Sequence, residues 1–299
     1  MLFKVRIADR MRKNFIARCE SYDAPRLAKE TFPADVKVES DISYQKDSSD
    51  FHKLDIYTPF NVSGSKEAFI LIHGGAFVYG RKELDKLFGM ELAKKAGIPV
   101  VNINYTLMPQ GSLETQLNEI FVAMNFVYKN YGFERLHVTG DSAGAYLAFI
   151  TAVAAMNRHV AHSLWVFEKL RPKVESAGLI CGGFEINPNG FPGVFFEKQN
   201  TVNNNRRLPD FVYDIKNLAY RMGTLRTVLI TGEDDDPVIR KDNYKFKAIL
   251  DELDIDTTFY DAENKDDRKM VHVFPISSPY SPEGKKAIEL IAENAVGKR

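Results

Sequence analysis

The sequence predicts an α/β fold with a mostly parallel central sheet flanked by helices. Short continuous apolar runs, such as that at 68–72, are typical of strands buried on both faces. These runs alternate with segments whose apolar residues recur every three or four positions, as on amphipathic helices. The chain has 299 residues, 44% hydrophobic and 27% charged, which is ordinary for a globular protein, and we expect one domain over 1–299.

The predicted elements follow one another regularly from residue 36. The first two segments read as an antiparallel pair, because 36–44 alternates apolar and polar residues as a half-buried strand does. Later strands and helices alternate, which favours parallel pairing. The predicted strands are 36–44, 51–59, 68–72, 98–105, 135–141, 176–182, 226–232 and 256–262, and the predicted helices are 81–97, 113–131, 142–156, 211–223, 240–252 and 283–295.

Two segments stand outside this alternation, and we expect them to form a small cap over the carboxyl edge of the sheet. Segment 183–210 is rich in proline, glycine, asparagine and phenylalanine, and a loop of that length in a compact domain is usually functional. The start of the chain predicts an amphipathic helix that packs on the body through Leu2, Val5, Ile7, Met11, Phe15 and Ile16. The expected cap elements are 1–35 and 183–213.

The amino-acid composition limits the kinds of binding partner that we expect for this protein. The formal net charge of zero gives no reason to expect nucleic acid. The two cysteines, Cys19 and Cys181, form neither a disulfide framework nor a metal-like cluster, so we expect reduced thiols and no metal site. No stretch of about 18 apolar residues and no signal-peptide pattern is found, so we expect a cytoplasmic protein without a membrane span. The oligomeric state stays open, with a homo-oligomer among the alternatives.

The segment "LHVTGDSAGAYLAF" carries the strongest chemical signal. Here Gly140-x-Ser142-x-Gly144 follows a predicted strand and opens a predicted helix, which is the context of a nucleophile elbow. Small residues on either side of Ser142 permit the tight turn, and the turn lifts the hydroxyl above the sheet. A glycine-rich turn with a capping serine, or a phosphate-binding turn, is the alternative. The chain lacks the Lys-Ser/Thr pair and the G-x-G-x-x-G pattern of phosphate-binding loops here.

An independent pattern, "LIHGGAFVYG", ends the first buried strand. Acyl transfer needs backbone N–H donors directed at the oxygen of the tetrahedral intermediate, and adjacent glycines allow close approach. We therefore predict an oxyanion hole formed by Gly74, Gly75 and Ala143. His73 is expected to orient this loop rather than to act as a base.

At this point the chain resembles a known family. The segments "HGGA" and "GDSAG" are similar to motifs of the hormone-sensitive-lipase-like branch of the α/β-hydrolase esterases, and the resemblance runs from about residue 50 onward. It implies the α/β-hydrolase fold and hydrolysis of short-chain carboxylic esters without a cofactor. The segment "NINYTLMPQ" matches that branch at Tyr105, Leu107 and Pro109, while Thr106, Gln110, Ala76 and Ala145 depart from its usual residues.

The expected base is His272, because it lies between the last strand and the last helix. That position follows the chain order of nucleophile, acid and histidine in this fold. The segment His272-Val273-Phe274 also matches the family's His-x-Phe pattern. Of the remaining histidines, His52 is expected at the surface and His137 in the packing of the strand before the elbow. The pair His159 and His162, three residues apart, could suggest a metal, but no acidic or cysteine partner lies nearby in the sequence.

The expected acid lies in the run Glu233, Asp234, Asp235 and Asp236. In the family the acid often precedes proline and an aliphatic residue, which points to Asp236. Counting three residues from the small residue at the end of the strand, Gly232, points instead to Asp235. We prefer Asp235, because strand register is fixed by pairing while the following loop can absorb an extra residue.

These residues predict a serine hydrolase that cleaves short-chain carboxylic esters, a carboxylesterase or acetylesterase, through Ser142, Asp235 and His272. The expected partner is a small-molecule ester, and neither a cofactor nor a metal is expected. A serine peptidase or amidase would use the same three residues and stays an alternative. A non-catalytic ligand receptor is a further alternative, although such receptors usually lack a member of the triad and all three positions are filled here.

Overall fold

One eight-stranded sheet forms the centre of the molecule. The computed structural model describes residues 2–196 and 208–297, with side chains from Ile7 onward. The strands are β1 Val36–Ser43, β2 Lys53–Pro59, β3 Glu67–Ile72, β4 Val100–Ile103, β5 Arg135–Asp141, β6 Lys173–Ile180, β7 Arg226–Gly232 and β8 Thr257–Ala262. Their order is β1-β2-β4-β3-β5-β6-β7-β8, and β2 alone runs antiparallel to its neighbours. The predicted mostly parallel sheet is confirmed.

Helices cover both faces of the sheet. The α-helices are α1 Leu2–Leu27, α2 Lys86–Ala96, α3 Leu113–Tyr131, α4 Ala143–Met156, α5 Arg158–Ser163, α6 Pro237–Glu252, α7 Phe274–Ser277 and α8 Pro282–Val296. Apolar residues of α3, α4 and α6 belong to one core, and those of α2 and α8 belong to a second core. Because each face of the sheet is buried, its central strands are continuously apolar, as the sequence pattern predicted. No helix among the described residues is both long and apolar enough to cross a membrane.

The predicted helix at 211–223 is wrong. Two 3-10 segments, Asp210–Tyr213 and Ile215–Arg221, replace it, and Asp214 between them is extended with φ −149° and ψ 85°. At this point the chain pairs with residues near Phe184, whose carbonyl accepts the N–H of Ile215 at 3.1 Å. Tertiary pairing therefore overrides the local helical pattern. The remainder of the expected cap segment, residues 197–207, lies outside the described residues.

Helix α1 contacts the body through polar as well as apolar side chains. The Tyr79 hydroxyl donates to Asp23 at 3.0 Å, and Arg26 donates to the Leu84 carbonyl at 3.1 Å. The ring of Phe15 packs against Tyr79, with 6.5 Å between the ring centroids. The expected apolar face is partly wrong, because Ile7 and Met11 are 46% and 45% exposed, and the side chains of Leu2 and Val5 lie outside the description. Hydrophobic spacing alone does not identify a contact face that polar residues share.

Lys82 anchors the segment that follows the glycine-rich loop, and it does so by binding residues of the sheet. Its ammonium group lies 2.9 Å from Asp55, 3.0 Å from Asp41 and 2.6 Å from Glu83, with only 3% of the Lys82 side chain exposed. Its backbone N–H donates to the Asn104 side chain at 2.6 Å. A buried cation held by carboxylates ties this segment to β2 and to the chain just after β4.

Replacing Lys82 should therefore cost far more than replacing a surface lysine. Lys82→Met leaves the buried Asp55 carboxylate without its cation, and we expect the free energy of unfolding to fall by about 3–5 kcal/mol. Lys53→Met is the control, because Lys53 pairs with Asp50, which is 89% exposed, and should cost less than about 1 kcal/mol. Urea unfolding of both variants measures the difference, and equal losses would contradict the anchoring role.

Candidate active site

Ser142 occupies a strained turn between β5 and α4. Its backbone has φ 51° and ψ −116°, a conformation that side-chain-bearing residues rarely adopt. A Cβ at Gly144 would collide with the carbonyl oxygens of Ile72 and His73, and a Cβ at Gly140 would collide with Ile72 and Gly144. Only glycine therefore fits on either side of the turn. The tight strand-to-helix turn has the geometry required of a nucleophile elbow.

His272 joins Ser142 to Asp235 by two short hydrogen bonds. His272 Nε2 lies 2.9 Å from the Ser142 hydroxyl oxygen, and His272 Nδ1 lies 2.7 Å from Asp235 Oδ1. The Asp235 carboxylate also accepts from the Asp236 N–H at 2.7 Å and from the Thr231 hydroxyl at 3.1 Å. The structure thus brings together the three side chains predicted from the sequence, with Asp235 buried and the imidazole partly exposed.

Each acid of the run at 233–236 has a different partner. Asp236 caps α6, since its Oδ1 accepts the N–H of Val238 at 2.8 Å. Glu233 accepts the N–H of Asn264 at 2.7 Å, and Asp234 lies 3.1 Å from the Lys269 ammonium group. Asp235 is the member that contacts the imidazole. The choice between Asp235 and Asp236 as the catalytic acid stays a prediction, and this geometry favours Asp235.

Cys181 lies beside the Asp235–His272 pair, a position that nothing in the sequence pattern indicated. Burial raises the pKa of its thiol well above the usual value, and the nearby Asp235 carboxylate raises it further. Among the described residues, Cys181, Asp235 and His272 form the one cluster of three close enough to share a metal ion, with ligand atoms within 4.8 Å of one another. The Asp235 and His272 atoms already hydrogen-bond to each other. The cluster therefore consists of this hydrogen-bonded pair with a neutral thiol beside it.

The expected role of Gly74 as an oxyanion donor needs correction. Its N–H donates to Asp141 Oδ1 at 2.8 Å, so this donor is already engaged. Within the described chain, the N–H groups of Gly75, Ala76 and Ala143 make no hydrogen bond, and Gly75 and Ala76 have φ values of 105° and 50°. The donors therefore shift by one residue: Gly75 and Ala143 stay predictions, and Ala76 joins them. The sequence could not show that Asp141 would occupy the first glycine.

His73 lies beneath this loop, where the loop-orienting role was expected. Its ring stacks on Tyr105 with 4.3 Å between centroids, and its Nδ1 lies 2.8 Å from the Gly74 carbonyl oxygen. Burial lowers the pKa of His73 to about 4, so the imidazole is neutral near pH 7. The Tyr105 hydroxyl donates to the His73 carbonyl at 2.7 Å, which holds the end of β3 in place.

A cavity of about 660 Å³ opens over Ser142. Its walls come from the loop after β3, from α1, from residues 191–192 and from the chain around His272. Apolar and aromatic side chains form much of the lining, and Arg18 and Arg26 of α1 add two cationic groups. The apolar lining includes Phe15, Tyr22, Tyr79, Phe191, Ile239 and Val273.

Comparison with known proteins agrees with this architecture. Residues 69–185, which include the glycine-rich loop and the elbow, match a family model described as the alpha/beta hydrolase fold. Esterase B from Lactobacillus rhamnosis has the same fold, with a TM-score of 0.85, 19% identity and coverage of 97% of this chain and 96% of that chain. A thermostable esterase from Pseudomonas putida superposes with a TM-score of 0.70 at 19% identity, covering 93% and 88%. The chain therefore has the α/β-hydrolase fold, and over residues 69–185 the resemblance predicted from its motifs is confirmed.

The sequence relatives include a methylesterase and a formamidase. The isoprenylcysteine alpha-carbonyl methylesterase of Arabidopsis thaliana is 33% identical over 102 residues, which are 32% of this chain and 24% of that protein. The match thus spans about a quarter of the plant protein. The kynurenine formamidase of Danio rerio is 22% identical over 220 residues, which are 72% of this chain and 70% of that protein.

Because Asp235 and Asp236 have different partners, we expect substitutions at the two positions to have different effects. Asp235→Ala should lower kcat by about 10⁴-fold, because the imidazole loses the group that orients it and stabilises its charged form. Asp236→Ala should cost about 1 kcal/mol of stability through the lost helix cap, with a far smaller effect on kcat. Ester kinetics and urea unfolding on both variants make the test. A crippled Asp236→Ala beside an active Asp235→Ala would reverse the assignment.

Proposed function

We propose that this protein hydrolyses short-chain carboxylic esters through an acyl-enzyme on Ser142. The observation that carries the proposal is the continuous hydrogen-bonded series from Asp235 through His272 to Ser142, which opens into the cavity. A serine hydroxyl is a weak nucleophile until a positioned base takes its proton, and this series supplies base and orienting acid together.

In the first half of the reaction, His272 Nε2 accepts the hydroxyl proton as Ser142 attacks the ester carbonyl carbon. The imidazole becomes positively charged, and the Asp235 carboxylate, already bonded to Nδ1, stabilises that charge. The carbonyl oxygen becomes an oxyanion that the N–H groups of Gly75, Ala76 and Ala143 receive. The intermediate then collapses, and the alcohol leaves with the proton from His272.

The second half repeats the same proton transfers with water. His272 takes a proton from a water molecule that attacks the acyl-enzyme, and the same donors hold the second oxyanion. Collapse breaks the bond to Ser142 Oγ, which regains its proton from His272, and the carboxylic acid departs. No step requires a group outside the chain, the substrate and water.

The cap supplies the proposed limit on substrate size. We assign the cap to the described parts of the expected segments, 2–35, 183–196 and 208–213, and α1 and residues 191–192 form walls of the cavity over Ser142. Phe15 packs against Phe191 with 5.2 Å between ring centroids, so the two segments meet over the site. A cavity of about 660 Å³ with aromatic walls suits a small apolar acyl or alcohol group.

Amide hydrolysis is the second candidate. One relative is a kynurenine formamidase, 22% identical over 72% of the chain, and its printed name denotes cleavage of a formamide. The same nucleophile, base and acid serve ester and amide alike, so the leaving group decides between them. An aryl formamide has a small acyl group and an aromatic leaving group, which matches the aromatic lining of the cavity.

A panel of p-nitrophenyl esters of increasing acyl length tests the main proposal. We expect kcat/KM to be highest for short acyl chains and to fall as the chain outgrows the cavity. Ser142→Ala should lower kcat by about 10⁴–10⁶-fold, since the nucleophile is lost. Ser277→Ala is the matched control, because Ser277 also lines the cavity but its hydroxyl donates to the Phe274 carbonyl at 3.3 Å. Equal ester activity of the wild type and Ser142→Ala would contradict the proposal.

A paired assay separates the two candidates. The same enzyme preparation is tested on phenyl acetate and on an aryl formamide of similar size, and the two kcat/KM values are compared. We expect the ester to be preferred, because its alcohol leaves more readily than an amine. A higher kcat/KM for the formamide, lost together with ester activity in Ser142→Ala, would move the assignment to an amidase.

A further inference from the structure

The carboxyl groups of Asp85 and Asp141 lie against each other in the wall of the cavity. Asp85 occupies the N-cap position of α2, yet its side chain makes no capping bond to that helix. Its carboxyl group is instead close enough to that of Asp141 for the two to interact. Both residues are buried, 2% and 6% exposed, and both line the cavity over Ser142.

The surroundings of this pair contain too few donors for two negative charges. Asp141 Oδ1 accepts the Gly74 N–H, but Asp85 Oδ2 meets no donor among the described residues. Helix α1 brings Arg26 and Asp23 near Asp85, and these act in opposite directions. The Arg26 guanidinium is already bonded to Asp23, Glu30 and the Leu84 carbonyl.

The other titratable side chains near the Asp85–Asp141 pair do not provide a permanent positive charge. His272 faces Asp141 from the loop after β8, and its nitrogens bond to Ser142 and Asp235. Tyr105, after β4, and Cys181, after β6, are also close, and burial raises the pKa of both side chains. Two ionised carboxylates in contact would repel strongly, so such pairs keep one proton between them.

We propose that Asp85 is a positioning residue for the oxyanion hole: it carries a proton that it donates to Asp141, and the Asp141 carboxylate holds the Gly74 N–H. This inference rests on the proposed hydrolase function. Gly74 directly precedes Gly75 and Ala76, so fixing its N–H fixes the two donors that follow. Asp141 directly precedes Ser142, so one carboxylate couples the hole to the nucleophile.

The directions of the pKa shifts of the two carboxyl groups agree with a proton on Asp85. Burial raises the pKa of Asp85 well above its ordinary value, and the neighbouring Asp141 raises it further. Burial also raises the pKa of Asp141, while the hydrogen bond from Asp85 lowers it. A neutral Asp85 beside an ionised Asp141 satisfies both groups. No capping role or ion pair of Asp85 explains its burial.

Kinetics of two substitutions provide the first test. Asp85→Leu keeps the branched shape but removes the donor, and we expect kcat to fall on the order of 10²-fold with a smaller change in KM, because the misplaced donors act on the transition state. Asp85→Asn should restore most of kcat, since its amide donates the same hydrogen bond without a titrating proton. Asp55→Asn is the control, a buried carboxylate paired with Lys82 outside the cavity, which should lower stability without lowering kcat.

The pH dependence of stability provides a second test that needs no activity. A group whose pKa is raised on folding contributes stability that is present at low pH and lost as pH rises through the raised pKa. The unfolded Asp85 ionises near pH 3.9, so above about pH 5 folding of the wild type takes up one proton. Relative to wild type, the folding equilibrium constant of Asp85→Asn should therefore improve about tenfold per pH unit until the pH reaches the raised pKa of Asp85, which urea unfolding between pH 5 and 8 measures.

The outcomes are separable. If the ratio of the folding equilibrium constants of Asp85→Asn and wild type does not change with pH, the proposal that the two carboxyl groups share a proton is overturned. An Asp85→Asn enzyme as impaired as Asp85→Leu, or an Asp85→Leu enzyme with wild-type kcat, would overturn the positioning role. If Asp85→Leu does not fold, wild-type-like kcat in Asp85→Asn together with the tenfold pH effect supports the proposal, and loss of either overturns it. Failure of the hydrolase proposal appears differently, as wild type and Ser142→Ala with equal ester activity.

Discussion

The hydrogen bond from the Gly74 N–H to the Asp141 carboxylate joins the two halves of the site. One half is the loop after β3, and the other is the turn after β5. These strands are parallel neighbours, with Ile72 opposite Gly140, so their carboxyl ends meet at one edge of the sheet. A Cβ at Gly74 would collide with the Asp141 side chain, which explains why glycine is needed at this position.

The same edge receives the remaining members of the site. Asp235 follows β7, and His272 lies in the loop between β8 and α7, while an isolated bridge between Asp234 and Val271 holds these two loops side by side. The neighbouring residues on those loops are thereby placed within hydrogen-bonding distance. The strained turn at Ser142 depends on the glycines around it, and β6 supports it through the Ile180 carbonyl, which accepts the Ser142 N–H at 2.8 Å.

Much of this arrangement could be predicted from the sequence, because it depends on local patterns. Buried strands and amphipathic helices have their own periodicities, and the elbow, the glycine pair and the acidic run each follow a strand end. Ser142, His272 and Asp235 were predicted in this way, and the structure brings their side chains together, while their catalytic roles stay proposals. The helix predicted to end at residue 97 does end there, because Gly97 adopts φ 64° in the left-handed region.

Other features depend on contacts between distant residues and leave no local pattern. Asp85 falls inside the helix predicted at 81–97, and only the fold shows that it faces Asp141. The Gly74 N–H could not be excluded as an oxyanion donor without knowing what the Asp141 side chain contacts. The segment 211–223 has helical spacing, yet pairing near Phe184 breaks it at Asp214.

The proposed chemistry requires that Ser142 is a nucleophile activated by His272. Treatment with a fluorophosphonate followed by peptide mass spectrometry tests this requirement most directly, because the probe bonds covalently to activated serines. We predict a single adduct on Ser142 in the wild type, and labelling slowed by orders of magnitude in His272→Ala. An adduct on another serine, or Ser142 labelling at the same rate without His272, would contradict it.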